Sequence, residues 1–381
     1  MEHLWLFSYQ FPVLGFSIID CTNLKFLSSL DYLILAYTKD GNLLGLDDDG
    51  RLLFKKDITQ NSPLYSINII SKETDNSLLI LTGGFDGVLR AYKFTSKTHL
   101  KLIWTHKFEA SISGIVSEDI NHDESKEILV YSLDKSLRVL NQRDGSLIWG
   151  QLFEKGIEDT FVWSNLQNPA ETEIIAVGND GTLRVFSGNS GKLEWFKKFE
   201  NKIRCVELID SHETQIIICG GDDRKLHFID KNTHKEIKQI KFKDYVWNLQ
   251  RVDTTSDSIS NSFLMSTYSF DYLYSEDSLQ EINFSSLLTL FNSNLQKEWE
   301  IEGYNIETLD INKISNRLTT TIGTTKGELC IIDSETGFIL SQITHAACIN
   351  KVNLFINKKK DTQILLCCDD HGIINAYKIK R

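Results

Sequence analysis

The chain has 381 residues, of which 41% are hydrophobic and 10% aromatic, enough apolar side chains for a large buried core. Its formal net charge is −11, and an acidic protein repels phosphate, so neither nucleic acid nor an anionic membrane is an expected partner. No apolar run approaches the roughly 18 residues of a membrane span, and the first residues lack the basic and apolar segments of a secretory signal. We therefore expect a cytoplasmic protein with no membrane span.

One sequence unit recurs along the chain, and its clearest copies are residues 78–108, 127–153 and 173–199. Each copy has an apolar run, a turn rich in Asp, Asn and Gly, a second apolar run, another turn and a final strand that often carries Trp. Such turns form hairpins, because glycine supplies the positive φ that they need and Asp and Asn tolerate it. A further apolar run precedes each copy. The unit therefore predicts four antiparallel strands, which is the blade of a β-propeller.

Eight such units follow one another at the spacing of propeller blades. Their second strands lie near Ile34, Ile80, Leu129, Ile175, Ile217, Leu264, Thr320 and Leu365. The last unit stops after its third strand, and residues 1–11 resemble the missing fourth one. We predict an all-β fold in which residues 1–381 form a single closed propeller of eight four-stranded blades. In this fold the N-terminal strand completes the last blade, over residues 346–381, and closes the ring. Seven blades remain an alternative, because the unit around residues 263–303 is irregular.

Two short motifs connect the repeats with known propeller families. The segments Gly145–Trp149 and Gly191–Trp195 resemble the G-x-L-x-W signature of quinoprotein-like propellers. The D-G-x-L-R segments at residues 86–90 and 180–184 are similar to those propellers and to WD40-like blades. The resemblance implies the propeller fold and no single function, because propellers host many functions. We expect the arginines to pair with the aspartates of their turns and the tryptophans to pack against neighbouring sheets.

The seven cysteines are odd in number and most lie in strand-like runs, which favours reduced thiols in a core. Cys367 and Cys368 are adjacent, and some quinoprotein dehydrogenases carry a disulfide between such neighbours. Side chains that are adjacent in a strand face opposite ways. We therefore interpret this pair as two buried thiols.

One loop has the pattern of a calcium site. Asp119, Asn121, Asp123 and Glu127 place side-chain oxygens at loop positions 1, 3, 5 and 9, and calcium takes six to eight oxygen ligands. The pattern resembles the loops of FG-GAP repeats, the integrin-type family, except that Glu124 stands where that family has glycine. The sequence thus predicts a possible calcium site in this loop, and calcium is the only cofactor that we expect. The alternative is a polar turn between two strands that binds no ion.

Residues 269–286 depart from the short connections elsewhere and are interpreted as an insertion in a degenerate blade. The segment mixes aromatic and acidic side chains, which suits a surface that binds another protein. The candidate partner-binding residues are Phe270, Asp271, Tyr272, Tyr274, Glu276 and Asp277. The alternative is an elongated hairpin that packs on its own blade.

The sequence shows no zinc-binding HExxH motif, no G-x-S-x-G nucleophile elbow and no phosphate-binding loop. We therefore expect a non-catalytic protein-interaction scaffold, monomeric on its own, in an assembly of the coat or trafficking kind. Two alternatives remain open. One is a propeller that binds a ligand or calcium and has hydrolase or redox activity. The other is an envelope assembly factor with the quinoprotein fold.

Overall fold

The computed structural model describes residues 1–72, 77–164, 172–211, 214–252, 261–270, 286–314 and 317–379. Its regular structure consists of 32 strands and one short 3-10 turn over Lys25–Leu27. The strands form eight four-stranded antiparallel sheets, so the chain is an all-β propeller of eight blades, as the repeats predict. No helix in the described residues is long and apolar enough to cross a membrane.

Contacts divide the chain into two compact units. Unit 1 comprises Met1–Leu152, Glu307–Ile331 and Leu340–Arg381, and unit 2 comprises Phe153–Ile306 and Ile332–Ile339. The interpretation of residues 1–381 as one domain stays a prediction.

Blades 1 to 3 follow one another in unit 1. Blade 1 contains β2 (Val13–Asp20), β3 (Tyr32–Thr38), β4 (Asn42–Leu46) and β5 (Leu52–Asp57). Blade 2 contains β6 (Leu64–Lys72), β7 (Ser77–Gly84), β8 (Val88–Ser96) and β9 (His99–Lys107). Blade 3 contains β10 (Ile112–Glu118), β11 (Glu127–Ser132), β12 (Ser136–Leu140) and β13 (Leu147–Leu152).

Blades 4 to 6 belong to unit 2. Blade 4 contains β14 (Ile157–Trp163), β15 (Glu173–Gly178), β16 (Thr182–Ser187) and β17 (Leu193–Lys198). Blade 5 contains β18 (Ile203–Asp210), β19 (Gln215–Gly221), β20 (Lys225–Asp230) and β21 (Glu236–Lys241). Blade 6 contains β22 (Tyr245–Val252), β23 (Ser262–Tyr268), β24 (Leu287–Phe291) and β25 (Lys297–Glu302).

The N-terminal strand completes the last blade, as predicted. Blade 7 contains β26 (Ile306–Ile314), β27 (Arg317–Thr324), β28 (Glu328–Asp333) and β29 (Ile339–Thr344). Blade 8 contains β30 (Ile349–Asn357), β31 (Thr362–Asp369), β32 (Ile373–Ile379) and β1 (Glu2–Ser8). Strand β1 pairs antiparallel with β32, with Phe7 opposite Ile374 and Glu2 opposite Lys378. Glu2–Ser8 and Ile373–Ile379, from opposite ends of the chain, are thereby neighbours in one sheet.

Burial along the strands explains why the repeat is readable in the sequence. The second strand of a blade is covered on both faces, and every residue of β7 is buried. Outer strands alternate instead, and β25 buries none of its residues fully. A run of apolar residues therefore marks the second strand, whereas alternation marks the fourth.

Neighbouring blades within each unit pack through shared apolar clusters. In unit 1, one cluster joins β3 and β4 of blade 1 to β31 and β32 of blade 8 and includes Cys368. A second cluster joins blades 7 and 8 and includes Cys367. In unit 2, one cluster joins blades 4 and 5, and another joins blades 5 and 6.

All seven cysteines are free. Cys367 and Cys368 are buried on opposite faces of β31, which confirms the interpretation of this pair as two buried thiols.

The tryptophans of the outer strands bind the next blade along the chain. In each of three blades the indole Nε1 donates to a backbone carbonyl in the turn between the third and fourth strands of that next blade. These bonds join Trp5 to Asp48 (3.0 Å), Trp104 to Gln142 (3.2 Å) and Trp299 to Ser334 (2.8 Å). The structural role expected for these rings is confirmed.

The D-G-x-L-R arginines pair with the aspartates of their own turns, also as predicted. Arg90 contacts Asp86 at 2.6 Å, and Arg184 contacts Asp180 at 3.0 Å. The guanidinium of Arg184 also lies 4.1 Å from the ring centre of Phe153. These partly buried ion pairs hold the turn between the second and third strands.

Candidate partner-binding surface and calcium loop

The predicted insertion falls largely outside the described residues. Of the six candidate partner-binding residues, the structure describes Phe270, whereas Asp271, Tyr272, Tyr274, Glu276 and Asp277 lie outside the described part of the chain. The two ends of the segment are described, and they identify the surface from which it leaves blade 6.

Asn305 holds both ends of this segment together. Its side chain is 1% exposed, and its Nδ2 donates to the carbonyl of Ser269 at 2.8 Å. Its Oδ1 accepts from the backbone N–H of Ser269 at 3.0 Å and from the hydroxyl of Ser286 at 2.7 Å. A buried amide that makes three such bonds fixes the distance between the two ends. Sequence reasoning missed this residue, because a lone Asn before a strand carries no pattern.

Four aromatic rings cluster where the segment begins. Phe270 lies 5.0 Å from Tyr268, 5.5 Å from Tyr245 and 5.7 Å from Trp247, measured between ring centres. Trp247 stacks on Tyr268 at 4.6 Å. Tyr268 is buried, whereas the other three rings are partly exposed. Sequence reasoning found Phe270 and missed Tyr245 and Trp247, because they lie on β22, more than 20 residues earlier in the chain.

Two arginines of blade 5 extend this aromatic cluster. The guanidinium of Arg204 lies 4.4 Å from the ring centre of Trp247, and that of Arg224 lies 5.0 Å from the ring centre of Tyr245. Arg204 also pairs with Asp222, with Nη2 to Oδ2 at 3.2 Å. This carboxylate orients the Arg204 guanidinium over the indole, an arrangement that favours cation–π attraction. We refer to Tyr245, Trp247, Tyr268, Phe270, Arg204 and Arg224 as the aromatic–arginine surface.

The candidate calcium loop closes on itself through side-chain oxygens. Asp119 accepts the backbone N–H groups of Asp123 (3.1 Å) and Glu124 (3.0 Å). Glu127 accepts the N–H of Ile120 at 2.9 Å and the Nδ2 of Asn121 at 3.0 Å. Asp119, Asn121 and Asp123 lie on the loop between β10 and β11, and Glu127 is the first residue of β11.

Three further observations bear on cation binding by this loop. Glu124 has φ +67°, the conformation for which the related motif uses glycine, so the loop turns despite the missing glycine. Burial, followed by the charges of Asp123 and Asp119, raises the pKa of Glu127 above its ordinary value. In the described residues, no three His, Cys, Asp or Glu side chains form a group with the geometry of a metal site.

Comparisons with known proteins agree on the fold. The family model described as the lambda-carrageenase β-propeller domain matches residues 155–271, which is under a third of the chain. No curated protein matches the sequence. Sqt1 of Saccharomyces cerevisiae is similar in structure, with a TM-score of 0.76, 11% identity and coverage of 100% of this chain and 99% of that one.

Two other solved structures are also similar. BamB from Moraxella catarrhalis gives a TM-score of 0.62 with 11% identity, and 99% of each chain is covered. The computationally designed protein Ika8 gives 0.72 with 14% identity, and 100% of each chain is covered. The repeats, the sheets and these likenesses together define the fold of the chain as an eight-bladed β-propeller.

Proposed function

We propose that this protein is a non-catalytic scaffold that binds another protein through the aromatic–arginine surface and the segment that leaves it. The single observation that carries the proposal is the cluster of three partly exposed rings, Tyr245, Trp247 and Phe270, with two arginines beside them. Trp, Tyr and Arg are the residues most enriched among those that dominate binding energy at protein interfaces.

The position of the surface supports the same proposal. Binding residues are commonly carried by loops that a rigid scaffold positions. Here the rings lie at the ends of β22 and β23, and Asn305 holds the ends of the segment that follows. The surface is therefore formed before a partner arrives, which reduces the entropy lost on binding. A cytoplasmic location and an assembly of the coat or trafficking kind remain part of this proposal.

The test compares the proteins that co-purify with three tagged forms of the full chain from its native cells. One form is unchanged, one carries Trp247→Ala with Phe270→Ser, and one carries Phe196→Ser. Phe196 is a suitable control because it is 61% exposed on the outer strand β17, outside the surface. The enriched partner is then purified and titrated against each form. We expect the double variant to bind at least about tenfold more weakly and the control to bind normally. Equal affinity for all three forms would reject this surface.

A calcium ion in the loop 119–127 is a second proposal. It is supported by the side chains of Asp119, Asn121, Asp123 and Glu127 on one closed loop and by the left-handed conformation of Glu124. Bound there, calcium would neutralise three carboxylates and stabilise the connection between β10 and β11. This role is structural and is compatible with a scaffold.

A further inference from the structure

A histidine replaces the turn arginine in blade 5. In blades 2, 3 and 4 an arginine pairs with the turn aspartate that lies four residues before it, as at Arg90, Arg138 and Arg184. In blade 5 the turn aspartate is Asp223, and the residue four positions after it is His227, on β20. Arginine keeps its charge at any physiological pH, whereas histidine gains or loses a proton near neutrality. The turn of blade 5 is therefore held by a group whose charge depends on pH.

Both ring nitrogens of His227 contact a carboxylate. Nε2 lies 2.7 Å from Oδ2 of Asp223, and Nδ1 lies 2.8 Å from Oε1 of Glu236 on β21. The ring centre is 4.5 Å from that of Phe199, and His227 is 4% exposed. A neutral imidazole has one N–H and can donate to one carboxylate, whereas the protonated ring donates to both. The arrangement therefore favours the charged form of His227.

A lysine and a cysteine complete the polar surroundings of His227. Lys197, on β17 of blade 4, pairs with Glu236 at 2.9 Å. Cys219 lies opposite His227 on β19, and burial raises the pKa of its thiol well above the ordinary value, so the thiol stays neutral. Burial lowers the pKa of His227, but the hydrogen bonds and charges of Asp223 and Glu236 outweigh this effect and raise the pKa above its ordinary value. The ring therefore keeps its proton to a higher pH than in an unfolded chain.

Loss of this proton weakens the hold on Asp223. Among the residues that the structure describes, His227 is the only cation paired with Asp223, whose side chain is 2% exposed. Glu236 keeps its ion pair with Lys197 when His227 becomes neutral. Asp223 keeps no such pair, and a buried carboxylate without a counter-charge is costly. Since the folded pKa of His227 is raised, this stabilisation is complete below about pH 6.5 and is lost as pH rises through the folded pKa.

The turn that contains Asp223 also shapes the aromatic–arginine surface. Asp222 pairs with Arg204, and the guanidinium of Arg224 lies 5.0 Å from the ring centre of Tyr245. Arg224 has φ +60°, a left-handed conformation that is strained for a residue other than glycine. Such a conformation persists only where neighbouring contacts hold it. The contact of His227 with Asp223 therefore helps to position both arginines of the surface.

We propose that the proton on His227 regulates partner binding at the aromatic–arginine surface. With the proton bound, His227 holds Asp223, and the turn keeps Arg204 and Arg224 over their rings. After its loss the turn loosens and the affinity for the partner falls. This inference rests on the proposed function, because it assigns the regulation of the same surface.

The first test measures the turn in the full chain without a partner. His227→Arg restores the permanent cation of blades 2 to 4, and His227→Gln keeps the position neutral. Circular dichroism confirms that each variant is folded. Mass spectrometry measures backbone amide exchange over residues 222–226 at pH 6 and pH 8, and the forms are compared at the same pH. We expect the exchange rate of the wild type relative to His227→Arg to rise at least about threefold from pH 6 to pH 8. The same ratio for His227→Gln should not change, and a constant ratio for the wild type would overturn the proposal.

The second test titrates the purified partner against the same forms at both pH values. From pH 6 to pH 8 the affinity of the wild type should fall at least about fivefold relative to that of His227→Arg. An unchanged relative affinity would overturn the regulation and leave the proposed function standing. Failure of the proposed function has a different signature. In that case the form with Trp247→Ala and Phe270→Ser binds the partner as tightly as the wild type, and the regulation is overturned with it.

Discussion

The indole ring of Trp104 lies against Gly145, which belongs to the next blade along the chain. A Cβ added at Gly145 would come within 2.5 Å of that ring, and Gly145 has φ +70°. Trp5 has the same relationship with Gly50, where a Cβ would come within 2.4 Å. The glycine therefore permits both the turn and the close approach of the ring, and each glycine–tryptophan pair joins two blades.

The first prediction concerns Gly145→Ala. Alanine at this position would have to adopt the left-handed backbone conformation of Gly145, and its methyl group would displace the Trp104 ring. We therefore expect a loss of about 2–4 kcal/mol in the free energy of unfolding, measured by urea denaturation. Gly303→Ala is the matched control, because Gly303 has φ +99° but no atom within 4 Å of an added Cβ. That change should cost only the backbone strain, about 1 kcal/mol. Equal losses would show that the contact with Trp104 contributes nothing.

The second prediction concerns Arg138, whose contacts repeat those of Arg184. Its Nη2 binds Asp134 at 3.2 Å, its Nη1 donates to the carbonyl of Lys107 at 3.0 Å, and its guanidinium lies 4.2 Å from the ring centre of Phe108. Arg138→Ala should lower the free energy of unfolding by about 1–3 kcal/mol.

Arg51→Ala provides the control for this change. The side chains of Arg51 and its partner Asp49 are 77% and 60% exposed, so their ion pair is surrounded by water. Its loss should change stability by less than about 0.5 kcal/mol. A similar effect at both positions would mean that the blade contacts of Arg138 do not matter.

The third prediction concerns pH and two carboxyl groups on the first strands of blades 4 and 5. Burial, and then the charge of Glu158, raises the pKa of Asp159 to about 7. Burial, and then the charge of Asp159, raises the pKa of Glu207 to about 8. Between about pH 4 and 8 these two groups therefore hold more protons in the folded state than in the unfolded chain, so their contribution to the free energy of unfolding falls as pH rises.

Glu207→Gln should remove part of this dependence, because the amide stays neutral. We expect the variant to match the wild type in melting temperature at pH 5 and to exceed it at pH 8 by about 2 °C or more. Glu109→Gln, at an exposed position, should not change the slope. A variant whose stability profile parallels that of the wild type would contradict the assignment.

The fourth prediction concerns calcium. Addition of 1 mM Ca²⁺ to chelator-treated protein should raise the melting temperature, because a ligand that binds only the folded state stabilises that state. At a ligand concentration of a hundred times the Kd, the free energy of unfolding increases by about 2.7 kcal/mol. Glu127→Gln should abolish most of the increase, and Mg²⁺ should replace Ca²⁺ poorly because it demands a smaller octahedral site. An identical melting temperature with and without Ca²⁺ would rule out an ion in the loop.

Features that follow from the repeated unit could be predicted from the sequence, whereas contacts that the unit does not specify could not. The strands, the pairing of β1 with β32 and the Arg184–Asp180 ion pair follow from local patterns that recur in each unit. The G-x-L-x-W signature did not reveal that Gly145 packs against Trp104 of the preceding blade.

The candidate sites show the same limit. The loop around Asp119 could be singled out because its candidate ligands are spaced within nine residues. Asn305 was missed because its partners Ser269 and Ser286 lie 36 and 19 residues away.

The most direct test of the scaffold proposal is site-specific photo-crosslinking in the native cells. The photoreactive residue p-benzoylphenylalanine replaces Phe270 in one form of the full chain and Phe196 in another. We predict that irradiation gives a discrete crosslinked product with one other protein from position 270, and none from position 196. Products from position 196 alone, or from neither position, would contradict the assignment of partner binding to the aromatic–arginine surface.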